Sequence, residues 1–214
     1  MAEYTLYCFA QSGNAYKPAL MLNLAGADWS AHFVDFFNGE TRTPAYRADV
    51  NEMGEAPVLE HKGQKLAQSA VILEYLAGTL GKFSWESEEE RREILRWLFW
   101  DNHKFTSYTA TYRFLRTFMA DKTDPAVLDF FKARMTTAFS ILDQRLSRQQ
   151  FVAIPGRPTI ADISVVGYLF FDDEIGLDWA NYKNIKAWRD RIQVMPGWKH
   201  PYDLMPGHPL PAKS

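Results

Sequence analysis

Ser12, Gly13 and Asn14 make a short polar turn where the residues before it read as a strand and those after it as a helix. A helix N-terminus carries unpaired backbone N–H groups and the positive end of the helix dipole. The Ser12 hydroxyl and the Asn14 amide add two hydrogen-bond donors to that field. Such a place suits a bound thiolate, because hydrogen bonds to the charged form lower a thiol pKa. The competing structural reading is a simple helix cap. Gln68-Ser69 repeats the logic at another helix start, where the Ser69 hydroxyl and nearby N–H groups suit a carboxylate and the Gln68 side-chain oxygen suits a neighbouring amine. Ala56-Pro57 opens a strand. A cis bond there turns the N–H and C=O of Ala56 outward, ready to pair with an extended ligand, whereas a trans bond makes Pro57 an ordinary first strand residue. Thr159-Ile-Ala-Asp162 has capping-box spacing with Asp in place of Glu or Gln, a structural feature. Cys8 precedes the polar turn within the strand, and a buried cysteine of that kind is inert.

The elements that hold these residues follow from local pattern. Tyr4 to Phe9 predicts a strand, Ala15 to Leu24 a helix stopped at Gly26, and Ser30 to Phe37 a second strand with the spacing of a parallel partner. The segment 38–53, interrupted by Gly39 and Pro44, allows one short helix. Pro57 to Glu60 and Gln64 to Ala67 predict a hairpin around Gly63, and Ser69 to Leu80 a buried helix. The order is β-α-β-α-β-β-α. Beyond Gly81 the charged run Ser84 to Arg92 leads into apolar positions at helical spacing from Glu88 to Ala120 with no Gly or Pro, a length at which a helix bends. Within it, Trp97, Phe99, Trp100, Phe105, Tyr108 and Tyr112 read as core with one face free to line an apolar pocket. Pro125 starts another helix, Thr159 a third and Ile185 a fourth, before a tail rich in Pro and Gly. The chain thus divides into an α+β domain at 1–78, a linker at 79–87 and an all-α domain at 88–214.

Composition excludes several classes. The 214 residues, 47% apolar and 23% charged, match globular averages. Twenty-four Lys and Arg against 26 Asp and Glu give a net charge of -2, without the basic excess of a nucleic-acid binder. Charge-free stretches such as Pro18 to Ala27 fall short of the ~20 apolar residues of a spanning helix, and the N-terminus lacks signal-peptide features. A cytoplasmic location is expected. One cysteine permits no internal disulfide, and the five histidines never fall at metal-ligand spacing, so no metal is expected.

In sequence order, four segments together resemble the cytosolic glutathione transferase superfamily over nearly the whole chain. They are Tyr7-Cys-Phe-Ala-Gln-Ser-Gly-Asn-Ala-Tyr-Lys17, Asn51-Glu-Met-Gly-Glu-Ala-Pro57-Val-Leu, Gln68-Ser-Ala-Val-Ile-Leu-Glu-Tyr-Leu76 and Thr159-Ile-Ala-Asp162. The closing Trp188 to Trp198 is similar to the family's last long helix and tail. The Ser-Gly-Asn turn most resembles bacterial and fungal serine- or threonine-type members.

The resemblance implies a thioredoxin-like glutathione-binding domain followed by an all-helical domain that supplies most of the second-substrate pocket. It implies that Ala56 and Pro57 meet the cysteinyl part of glutathione, that Gln68 and Ser69 hold the γ-glutamyl end, and that Ser12 and Asn14 face the sulfur. Tyr7 is the rival sulfur partner, since tyrosine-type members place theirs near the end of the first strand. Thr41 and Arg42 are candidates for the glycyl carboxylate. The implied activity is transfer of glutathione, as co-substrate, to a small apolar electrophile in detoxification. Glutathione-dependent disulfide reduction and a non-catalytic carrier or assembly role are the alternatives. A homodimer is also implied, with no membrane or nucleic-acid partner.

Overall fold

The computed structural model describes residues 2–210, which form two compact units, 2–82 with 195–210 and 83–194. The first unit is built on a four-stranded sheet of order β2-β1-β3-β4, from β1 (Tyr4–Cys8), β2 (Trp29–Phe33), β3 (Val58–His61) and β4 (Gln64–Ala67). β1 pairs with β2 in parallel and with β3 antiparallel, and β3 and β4 form the antiparallel hairpin. Helices α1 (Gly13–Ala25), α2 (Pro44–Asp49) and α3 (Ser69–Leu80) complete the β-α-β-α-β-β-α order of a thioredoxin-like domain. Along β1 the alternation puts Tyr4, Leu6 and Cys8 into the core with Leu20, Leu59, Ile72 and Leu73, and leaves Thr5 and Tyr7 half-buried on the opposite face.

Local signals explain the helix ends. Ser12 caps α1 by accepting the Ala15 N–H at 3.1 Å, and Gly26 closes it with φ +69. Pro18 lies inside α1 and gives up the N–H that would bind the Asn14 carbonyl. The second strand stops at Phe33, short of the expected Phe37. Val34 turns inward with Phe9 and Tyr46, and Phe36 and Phe37 pack against that cluster, so the end of the apolar run serves packing rather than pairing.

The second unit is helical: α4 (Glu88–Trp100), α5 (Thr106–Phe118), α6 (Pro125–Leu146), α7 (Ile160–Val166), α8 (Asp172–Ile175) and α9 (Lys183–Gln193). The expected long helix is interrupted by a π-helical turn, Asp101–Phe105, between α4 and α5. Its first residue is a fully buried carboxylate that accepts the hydroxyls of Thr106 at 2.7 Å and Ser164 at 2.5 Å. Of the aromatic run, Trp97, Phe105 and Tyr112 are core and Phe99 is exposed. Trp100 and Tyr108 line a cavity of about 490 Å3 with Lys104, Arg134 and Ile141. The capping box forms as expected, with Asp162 accepting from Thr159 N, Val152 N and the Trp188 indole.

One boundary differs from expectation. Residues 195–210, assigned by pattern to the helical domain, belong to the first compact unit, where α10 (Pro201–Leu204) packs on α1. A Pro- and Gly-rich tail has no periodicity to reveal which surface it covers, and its hydrogen bonds run to residues almost 200 positions away. Among the described residues no helix is long and apolar enough to cross a membrane, and no three His, Cys, Asp or Glu side chains form a metal-binding group.

Candidate functional site

The turn between β1 and α1 sets Ser12 and Asn14 at the N-terminus of a helix. Ser12 is nearly buried, and its oxygen is used as an acceptor by Ala15 N–H, so the hydroxyl proton is left to give to something else. The first turn of α1 holds no acidic residue to neutralise the helix end. Asn14 Oδ1 is shielded from solvent and has no hydrogen-bond partner among the described residues, an atom in need of an explanation.

Tyr7 lies two positions before Phe9, on the half-buried face of β1. Its hydroxyl donates to Glu60 Oε2 at 2.9 Å, its ring packs on His32 with centroids 4.4 Å apart, and Lys65 Nζ sits 5.6 Å from its centroid. Desolvation, and then the hydrogen bond and charge of Glu60, push its pKa above the ordinary phenol value. Cys8 points into the core with no exposed surface, and burial pushes its thiol up to about 12.

Ala56-Pro57 is a cis peptide bond, and the Ala56 backbone N–H and C=O make no hydrogen bond within the described residues. The loop before it is firmly held: the Glu55 carbonyl accepts from Tyr46 Oη at 3.1 Å and Asn51 Nδ2 at 2.9 Å. Burial, with the nearby charge of Glu40, pushes the Tyr46 phenol up to about 12, so it remains a neutral donor at any physiological pH. Ala56 also packs against the Phe9, Val34 and Tyr46 cluster, which ties the loop to the strand that leads into the Ser12 turn.

Gln68 caps α3 with φ +68, a conformation a side chain adopts at a cost, and makes no side-chain cap bond to the helix. The first N–H groups of α3 are therefore left open beside Ser69, whose hydroxyl has no partner among the described residues. Gln68 Nε2 reaches Glu55 Oε2 at 2.9 Å. Open helix amides and a nearby carboxylate stand together where an amino acid's own carboxylate and ammonium can both be met. Glu55 had no sequence signal, because it is one acid in an ordinary loop and only the fold brings it to Gln68. Thr41 is buried in a 3-10 turn, Glu40–Arg42, and its carbonyl lies so close to Gly54 that a Cβ there would stand 2.7 Å away. Arg42 is exposed, with its guanidinium over Gly39.

The comparisons with known proteins agree with this architecture. Residues 2–78 match the family model for the glutathione S-transferase N-terminal domain, and residues 105–196 the model for the glutathione S-transferase C-terminal domain. The chain is 26% identical to glutathione S-transferase F14 of Arabidopsis thaliana, over 99% of this chain and 90% of the relative. It is also 26% identical to the disulfide-bond oxidoreductase YfcG of Escherichia coli K12, over 88% of this chain and 89% of that one. Among solved structures, a glutathione S-transferase from Pseudomonas fluorescens Pf-5 superimposes with a TM-score of 0.85 at 33% identity, over 92% of this chain and 98% of its own. With both domain models matched in order on a thioredoxin-like sheet followed by helices, the chain belongs to the cytosolic glutathione S-transferase superfamily.

Proposed function

We propose that the protein is a glutathione transferase that holds glutathione as a thiolate at Ser12 and transfers it to a small apolar electrophile. The observation that carries this reading is the Ser12 hydroxyl, which accepts from Ala15 at the N-terminus of α1 and keeps its own proton for an anion. In this reading the γ-glutamyl carboxylate sits on the open amides of α3 and the Ser69 hydroxyl, while the ammonium faces Glu55 and the Gln68 side-chain oxygen. The cysteinyl backbone pairs with Ala56 as an added strand does, with Pro57 fixing its direction. Thr41 lines the glycyl end beside Gly54, with Arg42 as the candidate cation. A free cysteine-like thiol titrates near 8.5, so each unit of depression raises the thiolate fraction at pH 7 by up to about tenfold. The thiolate then attacks an electrophilic carbon, a sulfur–carbon bond forms, and the leaving group departs with its electron pair. Asn14 shares the sulfur with Ser12.

A second reading, glutathione-dependent disulfide reduction, is favoured by the similarity to the Escherichia coli disulfide-bond oxidoreductase. There the same thiolate attacks a disulfide sulfur and expels the other sulfur as a thiolate. Cys8 takes no part, being buried and fully protonated at neutral pH.

Purified protein assayed with glutathione against a panel of aryl halides and epoxides, and separately against a small dialkyl disulfide, distinguishes the two. Turnover of an electrophile supports transfer, turnover of the disulfide alone supports reduction, and neither, together with no heat of glutathione binding, rejects both. A cytoplasmic homodimer is the expected form, and sedimentation that gives a single 24.7 kDa species rules the dimer out.

A further inference from the structure

The tail that returns to the first unit is stitched to α1 and to the Ser12 turn by its own backbone carbonyls. Asn23 Nδ2 donates to the Gly197 carbonyl, Tyr16 Oη to that of Lys199 at 2.8 Å, the Ala10 N–H to that of Pro206 at 2.8 Å, and Gln11 Nε2 to that of Gly207 at 2.7 Å. From Gly197 through Lys199 to Pro206 the acceptors advance along the tail while their donors step back from Asn23 through Tyr16 to Ala10, so the tail lies antiparallel to α1 and ends on the two residues that precede Ser12. Both tail glycines are there for contact. A Cβ on Gly197 would stand 2.8 Å from the Asn23 carbonyl oxygen and one on Gly207 2.5 Å from the Phe33 ring, at φ +88 and +97. The end of the tail is fixed in turn by His208, stacked on Tyr202 with centroids 3.7 Å apart.

Gln11 is buried at 4% exposure and is the one side chain of the turn spent on the tail. With Ala10 and Gln11 held from outside, Ser12 itself is tied locally, by its N–H to Phe9 O at 3.0 Å, by its carbonyl from the Tyr16 N–H at 2.9 Å and by its cap bond to Ala15. Hydrogen bonds to an anion act only when the donors are already aimed, since aiming them on binding costs conformational entropy. We propose that residues 195–208 form a strap that positions the Ser12 turn, with Gln11 as its positioning residue. The Gln11 to Gly207 bond then sets how strongly the turn stabilises a thiolate. The proposal deepens the glutathione reading above and rests on it.

The test compares wild type, Gln11→Met, Gly207→Ala and the double variant. Gln11→Met keeps the side chain's length without its donor, and Gly207→Ala pushes the strap off from the other side. The ultraviolet absorbance of bound glutathione thiolate is followed across a pH series, with kcat and KM for glutathione. Each single variant is expected to raise the bound thiol's pKa by about one unit and lower kcat at pH 7 by up to about tenfold. KM should stay within about twofold, because the Ser69 end is untouched. The double variant should go no further than either single one, since both remove the same contact. Unchanged titration in both variants of a wild type that binds glutathione as thiolate overturns the strap alone, as does a double variant whose effects add. A wild type that binds no glutathione overturns the functional reading and the strap's role with it. If Gly207→Ala does not fold, Gln11→Met decides by itself.

Discussion

Tyr7 gives its only hydroxyl proton to Glu60, at 2.9 Å, and so has none left for a sulfur, whereas Ser12 uses its oxygen as an acceptor and keeps its proton. Both residues stand close to the end of the same strand, yet the alternation of β1 sends Tyr7 to the sheet face that carries Glu60.

The first prediction follows from that difference. Ser12→Ala is expected to raise the pKa of bound glutathione and cut turnover at pH 7, with Asn14 retaining part of the effect, while Tyr7→Phe changes neither. Should the phenylalanine variant shift the titration and the alanine variant leave it alone, the sulfur belongs to Tyr7.

At the other end of the ligand, Ser69→Ala removes a hydroxyl from an open helix N-terminus. Glutathione affinity should fall by roughly 1.5 to 3 kcal/mol if a charge-assisted hydrogen bond is lost. Calorimetry that finds wild-type affinity in the folded variant defeats the assignment.

Asp162 is a structural matter. Its carboxylate is fully buried and accepts from Val152 N, Thr159 N and the Trp188 indole at 2.7 to 2.9 Å, so Asp162→Ala strands three donors. A loss of about 2 to 4 kcal/mol is expected, with glutathione affinity retained in what folds. An unchanged denaturant midpoint would show that the network adds nothing.

The same carboxyl makes a pH prediction. Burial pushes its pKa up to about 6 against the pull of its donors, above the 3.8 of a free aspartate. A raised pKa means that the folded state holds the proton more tightly than the unfolded state. This contribution is therefore full below about pH 4 and is lost as pH rises through 6. Relative to Asp162→Asn, which does not titrate, wild type should lose melting temperature between pH 4 and 7. A difference that stays flat, or grows with pH, contradicts the assignment.

Cys8 offers a simple control. With no exposed surface and a pKa of about 12, it should resist thiol reagents in the native protein and react only after unfolding. Rapid labelling of native protein, or loss of the thiolate titration in Cys8→Ala, would place it in the chemistry.

What the sequence by itself determined is whatever a few neighbouring residues decide among themselves. Ser12 before a run of Ala, Leu and Met, Gly26 after it, the turn at Gly63 and the Thr159 to Asp162 spacing each satisfy or free backbone groups within about four residues. All of these formed as their types demanded. The order of elements in the first unit was legible for the same reason. Which partner each side chain finds across the fold was not. The expected strand from Ser30 to Phe37 ended early because Val34 found Phe9 and Tyr46, and the helix expected from Glu88 onward changed its winding around the buried Asp101. Gln11 finds Gly207 across 196 positions, Gln68 finds Glu55, and Tyr7 spends its proton on Glu60. Such contacts depend on sheet register, on which face a strand turns inward, and on where a tail without periodicity comes to rest. Only the tertiary structure decides them, because each is the outcome of many residues packing at once rather than of any local spacing.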